Sequence, residues 1–435
     1  MRPCAPAGGS REGNIVVSLL DQALRRMIKK GELTIVEADG TRRSYGRPDP
    51  EFEPVTIRFT DGKVARDLAR NPRLKLGEAY MDGRVTFERG DILALVLLAT
   101  GNARWEDGHI DRTFLHDRWE RVRQWFAGRN HEKRARANVA HHYDLGNELY
   151  RLFLDQDMQY SCAYYLPGND DLEQAQRDKK AHIAAKLDLK PGQKVLDIGC
   201  GWGGMALYLN RVAGVEVTGV TLSTEQHALA RERARNAGVA DKVKFELMDY
   251  RRLTDTYDRI VSVGMFEHVG AKNYGEFFAK CRALLKPDGV MLLHTIGRFD
   301  DPSSGDPFAD RYIFPGYHLP NLSQLVRGIE RSRMIVTDVD TLRLHYAFTL
   351  REWLRRTRAR KDELVRLYDE RFVRMWEYYL AGAMQMFIYG AGCNFQVQFV
   401  RERNALPLER DWMFEAEQRY RAMDAPALGM LEAAE

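Results

Sequence analysis

Residues 195–209 read VLDIGCGWGGMALYL. An apolar run stops at Asp197, glycines crowd into positions 199, 201, 203 and 204, and an apolar pattern at helical spacing follows. This is a strand handing over to a helix through a tight turn. Without a Cβ, Gly199, Gly201 and Gly203 let the backbone take positive φ and pass close to a ligand. In a doubly wound sheet, ligands sit beyond the carboxyl ends of the strands, where such a turn lies. Taken alone, G-x-G-x-G fits a dinucleotide site or simply a tight turn.

The flanking sequence narrows the choice. KVLDIG, VEVTGVTL, VKFELMD, YDRIVSVGMF and GVMLLHTI alternate with helical segments that begin near Gly203, Thr224 and Lys272. The alternation predicts an α/β, doubly wound, Rossmann-like fold with parallel strands. A dinucleotide site ends its second strand on an acidic residue for the ribose, but here Thr221-Leu222-Ser223 offers no carboxylate before Glu225. Asp249-Tyr250 follows the third strand, where an adenine can stack and be hydrogen-bonded. No G-K-[ST] follows the glycines, which excludes a triphosphate cradle. A nucleoside without a pyrophosphate fits better, and S-adenosylmethionine is the common one. Thr221 ends its strand at the ligand face, and Gln226 opens a helix within reach of the methionine or ribose hydroxyls.

The 435 residues, 44% hydrophobic, are enough for two or three domains. A net charge of +4 is compatible with an anionic partner without demanding one. Cys4, Cys162, Cys200, Cys281 and Cys393 include no C-x-x-C pair, so neither a disulfide framework nor a zinc site is expected, and a reduced cytosolic compartment fits. His141-His142 lacks a third ligand, so no metal is expected. The N-terminus has no signal-peptide stretch, and ILALVLLA at 92–99 is too short to span a membrane.

Residues 1–13 read as a disordered lead, and 14–110 as a small α+β domain with helices near 15–30 and 91–100 and strands at 33–37 and 55–59. Residues 111–137, arginine-rich with Trp119, Trp125 and Phe126, read as a helical connector that is either solvated or rests on anionic lipid headgroups. Residues 351–374 repeat that ambiguity on a long helix. The remainder, 138–435, is the cofactor-binding domain. No RNA-binding module or base-flipping signature appears, so nucleic acid is not an expected partner.

A resemblance becomes legible in HHYDLGNELYRLFLD (141–155), YSCAYY (160–165), VLDIGCGWGG (195–204), GVTLSTEQ (219–226), GMFEHVG (264–270), LLHTIG (292–297), IFPG (313–316) and HYAFTLREW (345–353). LGEAYMDG (76–83) adds a weaker match. In that order and spacing, these blocks resemble the cyclopropane-fatty-acyl-phospholipid synthases and the related mycolic acid cyclopropane synthases. The resemblance implies a methyltransferase that moves a methylene from S-adenosylmethionine to cis double bonds of unsaturated phospholipid chains. It implies cofactor contacts at Tyr160, Ser161, Asp197, the glycine turn, Thr221, Gln226, Asp249 and Tyr250. It also implies a bicarbonate ion as general base, held by the side chains of Glu267, His294 and Tyr346 and by backbone groups of Cys162 and Ile296. From the residues alone, Glu267 and His294 both fall at carboxyl ends of predicted strands, and each is either a base or a supporting hydrogen-bonder.

The family's phospholipid-acting members carry a domain ahead of the methyltransferase. The residues before 138 therefore imply lipid binding, a homodimer and a peripheral place on the cytoplasmic face of the membrane. FADRYIFPGYHLPN (308–321) with Met384, Met386 and Phe387 fits an acyl cavity or plain core. One position departs from the pattern. Where many relatives have a cysteine in the block matching YLAGAMQMF (379–387), this chain has Ala383, and Cys393 is expected to be a packed thiol. Two other readings stay open: a methyl-branched or methylene product, and a catalytically silent lipid-binding homologue.

Overall fold

In the computed structural model, residues 11–108, 146–301 and 305–431 are described. The connector 111–137, the His141-His142 pair and positions 1–10 of the expected lead lie outside them. A helix spans Arg11–Met27, beginning within the segment read as a lead.

The described chain divides into two compact units. The first gathers the residues before 113 with Asp306–Ile313 and Thr357–Gly390; the second gathers the rest. The first unit holds β1 (Gly31–Val36), β2 (Arg42–Arg47), β3 (Val55–Phe59) and β4 (Val85–Arg89), in the order β2-β1-β3-β4. β1 and β3 match the alternating runs read from sequence, and Ile92–Gly101 is the expected short helix. So small a sheet cannot bury its apolar face alone. Its core of Leu33, Ile35, Ile57 and Phe59 is completed by Phe308, Tyr378 and Ala381 from the two later segments. Gly77, in the block LGEAYMDG, permits this closeness: a Cβ there would stand 2.4 Å from Phe308 and 2.6 Å from Tyr378. Polar ties reinforce it, with Tyr80 donating to Glu377 at 2.8 Å and Arg374 to the Met81 carbonyl at 2.9 Å. Compact packing therefore does not follow one cut along the chain.

The long helix expected over 351–374 is broken into His345–Ala359, Lys361–Leu367 and Glu370–Ile388. Asp369 starts the last of these by accepting from Phe372 N–H at 2.6 Å.

The second unit holds β5 (Lys194–Ile198), β6 (Glu216–Thr221), β7 (Val243–Leu247), β8 (Tyr257–Val263), β9 (Leu285–Arg298), β10 (Ile335–Leu342) and β11 (Gly392–Val400). The order is β10-β11-β9-β8-β5-β6-β7. β7, β6, β5, β8 and β9 are parallel, as the sequence predicts. β11 enters antiparallel between β9 and β10. The chain winds outward from β5 to β7, then returns to start β8 on the other side of β5. That reversal opens a crevice at the carboxyl ends of β5 and β8.

Candidate active site

The glycine turn lies at this switch point. Gly199 and Cys200 donate their N–H groups to the Val220 carbonyl at 2.9 and 3.0 Å, pinning the turn against β6. Gly201 has φ +54, and a Cβ built on it meets nothing within 4 Å, because it faces a cavity. Gly199 lines the same cavity. Gly203 departs from the expectation of a cofactor contact. It caps the helix Gly204–Ala213 at φ +83, and its Cβ would meet the Phe245 ring at 2.6 Å, so its bareness serves strand–helix packing.

Tyr160, Ser161, Asp197, Thr221, Gln226, Asp249 and Tyr250 all border this cavity. Asp197 is buried with Oδ2 lacking any hydrogen-bond partner, and burial pushes its carboxyl up to about 7. Such an acceptor calls for a cation or a donor. Thr221 donates its hydroxyl to Gln226 Oε1 at 2.9 Å, leaving the Gln226 amide hydrogens for a ligand. Asp249 is tied by Arg251 through Nε at 2.9 Å and a terminal nitrogen at 2.7 Å. Burial opposes ionisation of Asp249, yet the net shift is downward because Arg251 bonds it. Tyr250 packs edge-on against Phe277.

Sequence reading missed Met158, Gln159 and Lys179. Met158 and Gln159 line the cavity immediately before Tyr160, and Met158 holds a left-handed φ of 56°, a backbone state that costs about 1–2 kcal/mol. Lys179 is fully buried and donates to Gln159 Oε1 at 2.6 Å and Ser161 Oγ at 2.8 Å. Burial pulls its ammonium down to about 8. A sign of it was present: Lys179 shares a helix face with Leu172, Ala175, Gln176 and Ile183.

The residues expected around the base come from three places. Glu267 lies on the short turn Phe266–His268 beyond β8. Its Oε1 accepts the Ile296 N–H at 2.6 Å, its Oε2 is buried without a partner, and burial pushes the carboxyl up to about 7. The Ile296 backbone thus serves Glu267. His294 is not at a strand end, because β9 continues to Arg298. It sits level with Val263, the last residue of β8, with Gln396 3.1 Å from Nδ1 and Asn394 2.6 Å from Nε2. Tyr346 and Cys162 lie on two segments bonded together: Thr349 accepts the Ala163 N–H at 3.1 Å and His345 the Tyr165 N–H at 2.9 Å. Trp353 stacks on Tyr160 and meets Tyr346 edge-on, giving an aromatic wall. The Cys162 thiol is buried, which raises its pKa far above the ordinary value. Among the described residues, no cluster of His, Cys, Asp or Glu is placed to hold a metal.

A family model described as mycolic acid cyclopropane synthetase matches residues 130–397. A second model, a domain of unknown function, matches 19–105. The chain is 40% identical to the cyclopropane-fatty-acyl-phospholipid synthase of Escherichia coli strain K12, over 76% of this chain and 85% of that one. It is 37% identical to a probable fatty acid methyltransferase of Pseudomonas putida, over 81% and 87% respectively. Among solved structures it is similar to a mycolic acid cyclopropane synthase complexed with SAH and CTAB. That match has 34% identity and a TM-score of 0.58, and covers 61% of this chain and 97% of that one.

Proposed function

This chain belongs to the mycolic acid cyclopropane synthetase family of S-adenosylmethionine-dependent methyltransferases, and from that premise we propose that it cyclopropanates cis double bonds of phospholipid acyl chains. The observation that carries the reading is Glu267: a buried carboxyl with one oxygen fixed by Ile296 and the other unpaired, on the loop that also brings Met265 and His268 to the cofactor cavity.

Bound S-adenosylmethionine supplies an electrophilic methyl on a sulfonium. Asp197, with its orphaned Oδ2, suits the cationic amino-acid end. Thr221 and Gln226 suit the ribose, and Tyr250 with Asp249 the adenine. Ser161, held by Lys179, suits the carboxylate end. An alkene that takes the methyl becomes a carbocation, and loss of a proton closes the ring. The Tyr160–Trp353–Tyr346 wall keeps water away and offers aromatic faces to the cation.

For the proton, the residues fit a small anion on one condition. Two adjacent anions repel, so bicarbonate sits beside Glu267 only while Glu267 is protonated, which its raised pKa favours near neutrality. We assign Glu267 the task of donating from Oε2 to such an ion. The family's mechanism, in which bicarbonate takes the proton, stays compatible with Ala383, since no thiol is required.

Phospholipid is the proposed substrate because the residues before 113, with two later segments, build a compact unit distinct from the cofactor-binding one. That unit is the proposed lipid-binding and homodimerising part, and the protein is proposed to work on the cytoplasmic face of the membrane. No helix of the described residues is long and apolar enough to cross a membrane. A fatty acid methyltransferase reading is favoured by the P. putida relative's name alone. The function is tested by incubating the protein with methyl-labelled S-adenosylmethionine and vesicles of monounsaturated phospholipid. Label must enter the acyl chains, and vesicles of saturated lipid must take up none.

A further inference from the structure

Both imidazole nitrogens of His294 face side-chain amides of β11, and a lysine decides how one of them, Gln396, is turned. Lys186 Nζ lies 2.8 Å from Gln396 Oε1. An ammonium has only hydrogens to give, so Oε1 is the acceptor there and Gln396 must present its NH2 to His294 Nδ1, 3.1 Å away. The Nδ1 lone pair is thereby consumed. Lys186 is itself held by Asp340 at 2.9 Å, which His182 also contacts at 3.0 Å.

We propose that Lys186, acting through Gln396, is a positioning residue that locks His294 in the tautomer carrying its proton on Nε2. His294 is then a hydrogen-bond donor only and is denied the role of proton acceptor. The lock requires Asn394, whose Nδ2 stands 2.6 Å from Nε2 while its Oδ1 is buried without a partner, to turn Oδ1 toward that proton or yield to an oxygen that displaces it. This deepens the reading above and rests on His294 belonging to that site.

The surroundings keep the ring neutral. Burial, and then the charges of Lys179 and Lys186, hold its pKa far below the ordinary value. The charged or titratable groups facing it are Lys179, His182 and Lys186 from the helix Leu172–Ala185 and its end, and Asp340 from β10. Only Asp340 pulls the other way. A neutral imidazole has one hydrogen and one lone pair. With the lone pair fixed on Nδ1, transfer of a substrate proton falls to the Glu267 side of the site.

The test is nitrogen-15 NMR of the histidine-labelled full chain, with His294 assigned by the resonances lost in His294→Gln. The wild type should show a lone-pair Nδ1 and a protonated Nε2, unchanged between about pH 6 and 8. Gln396→Glu replaces the donor by an acceptor and should move the proton to Nδ1. Lys186→Met frees the amide to turn and should give mixed tautomers, with turnover down roughly tenfold to a hundredfold and cofactor affinity unchanged. Lys186→Arg should restore the wild-type pattern.

A wild-type proton on Nδ1, or a His294 spectrum that ignores Gln396→Glu, overturns the proposal. If Lys186→Met does not fold, the Gln396→Glu spectrum decides. An Nε2–H tautomer in a wild-type protein that transfers no label to vesicles supports the lock and refutes the function proposed above.

Discussion

Ile296 donates its backbone N–H to Oε1 of Glu267 at 2.6 Å, while the other carboxyl oxygen of Glu267 is buried without a partner. One bond fixes the direction of the carboxyl and leaves Oε2 for chemistry. Because β9 runs on to Arg298, the same strand carries His294 and, two residues later, this donor. Glu267 therefore combines a set orientation with a pKa pushed by burial to about 7.

That shift has a signed consequence for stability. The carboxyl's ordinary value is 4.5, so folding favours its protonated form. The stabilising contribution is complete below about pH 4.5 and is lost as pH rises through about 7. Above that, ionised Glu267 costs roughly 3 kcal/mol. Glu267→Gln should thus melt above the wild type at about pH 8 and lose that advantage at about pH 5. Its amide keeps a donor, so turnover is only weakened, whereas Glu267→Ala should lose turnover while calorimetric cofactor affinity persists. A difference in melting temperature that is independent of pH contradicts this account of the carboxyl.

The two glycines of the turn should separate. Gly201→Val places a side chain into the cavity at a left-handed backbone position, so cofactor affinity should fall by at least about tenfold. Gly203→Ala presses on Phe245 and should cost about 1–3 kcal/mol of stability, with affinity retained in the folded fraction. Calorimetry and thermal melts distinguish them. Undiminished binding by Gly201→Val would refute the placement of the cofactor.

The mechanism proposed above needs no thiol. Cys162, Cys200, Cys281 and Cys393 are all buried, and burial raises the pKa of each thiol, which suppresses the thiolate. Cys393 lies in the shared core with Phe395 and Val397. Cys393→Ser and Cys162→Ser should each keep a substantial fraction of turnover. Loss of turnover in a folded, cofactor-binding Cys393→Ser protein returns a thiol to the mechanism.

The sequence foretold the parallel strands and the cavity because both rest on local signals: β-branched runs ended by glycines, and polar residues at strand ends. β10 and β11 were not foretold, since they cross antiparallel and their pairing is non-local. Nor was the packing of 306–313 and 357–390 with β1–β4, which depends on a core shared across distant segments. Gly203 misled because a bare position can serve a ligand or a neighbouring ring, and only packing says which. Several arginines of 351–374 are paired: Arg355 with Glu352 one helical turn away, a partner that spacing could reveal, and Arg358 with Asp91 and Arg371 with Asp82, distant partners that no periodicity reveals.

One small exposed patch tests the proposed contact with anionic lipid. Leu344, Phe348 and Arg351 share one exposed face beside Arg343, with the Arg351 guanidinium 5.3 Å from the Phe348 ring. Arg343→Gln and Arg351→Gln should each weaken binding to anionic vesicles by about 1 kcal/mol at low salt, and rising salt should do the same. Sedimentation with vesicles measures it. Binding indifferent to both charge and salt assigns the patch to plain solvent exposure.

The central claim is tested most directly by mass spectrometry of cis-monounsaturated phospholipid vesicles after incubation with the protein and S-adenosylmethionine. The account predicts chains heavier by one CH2, with fragmentation locating a three-membered ring at the former double bond. Chains that gain a methyl branch or a methylene group without a ring, or that gain nothing while the cofactor is bound, contradict it.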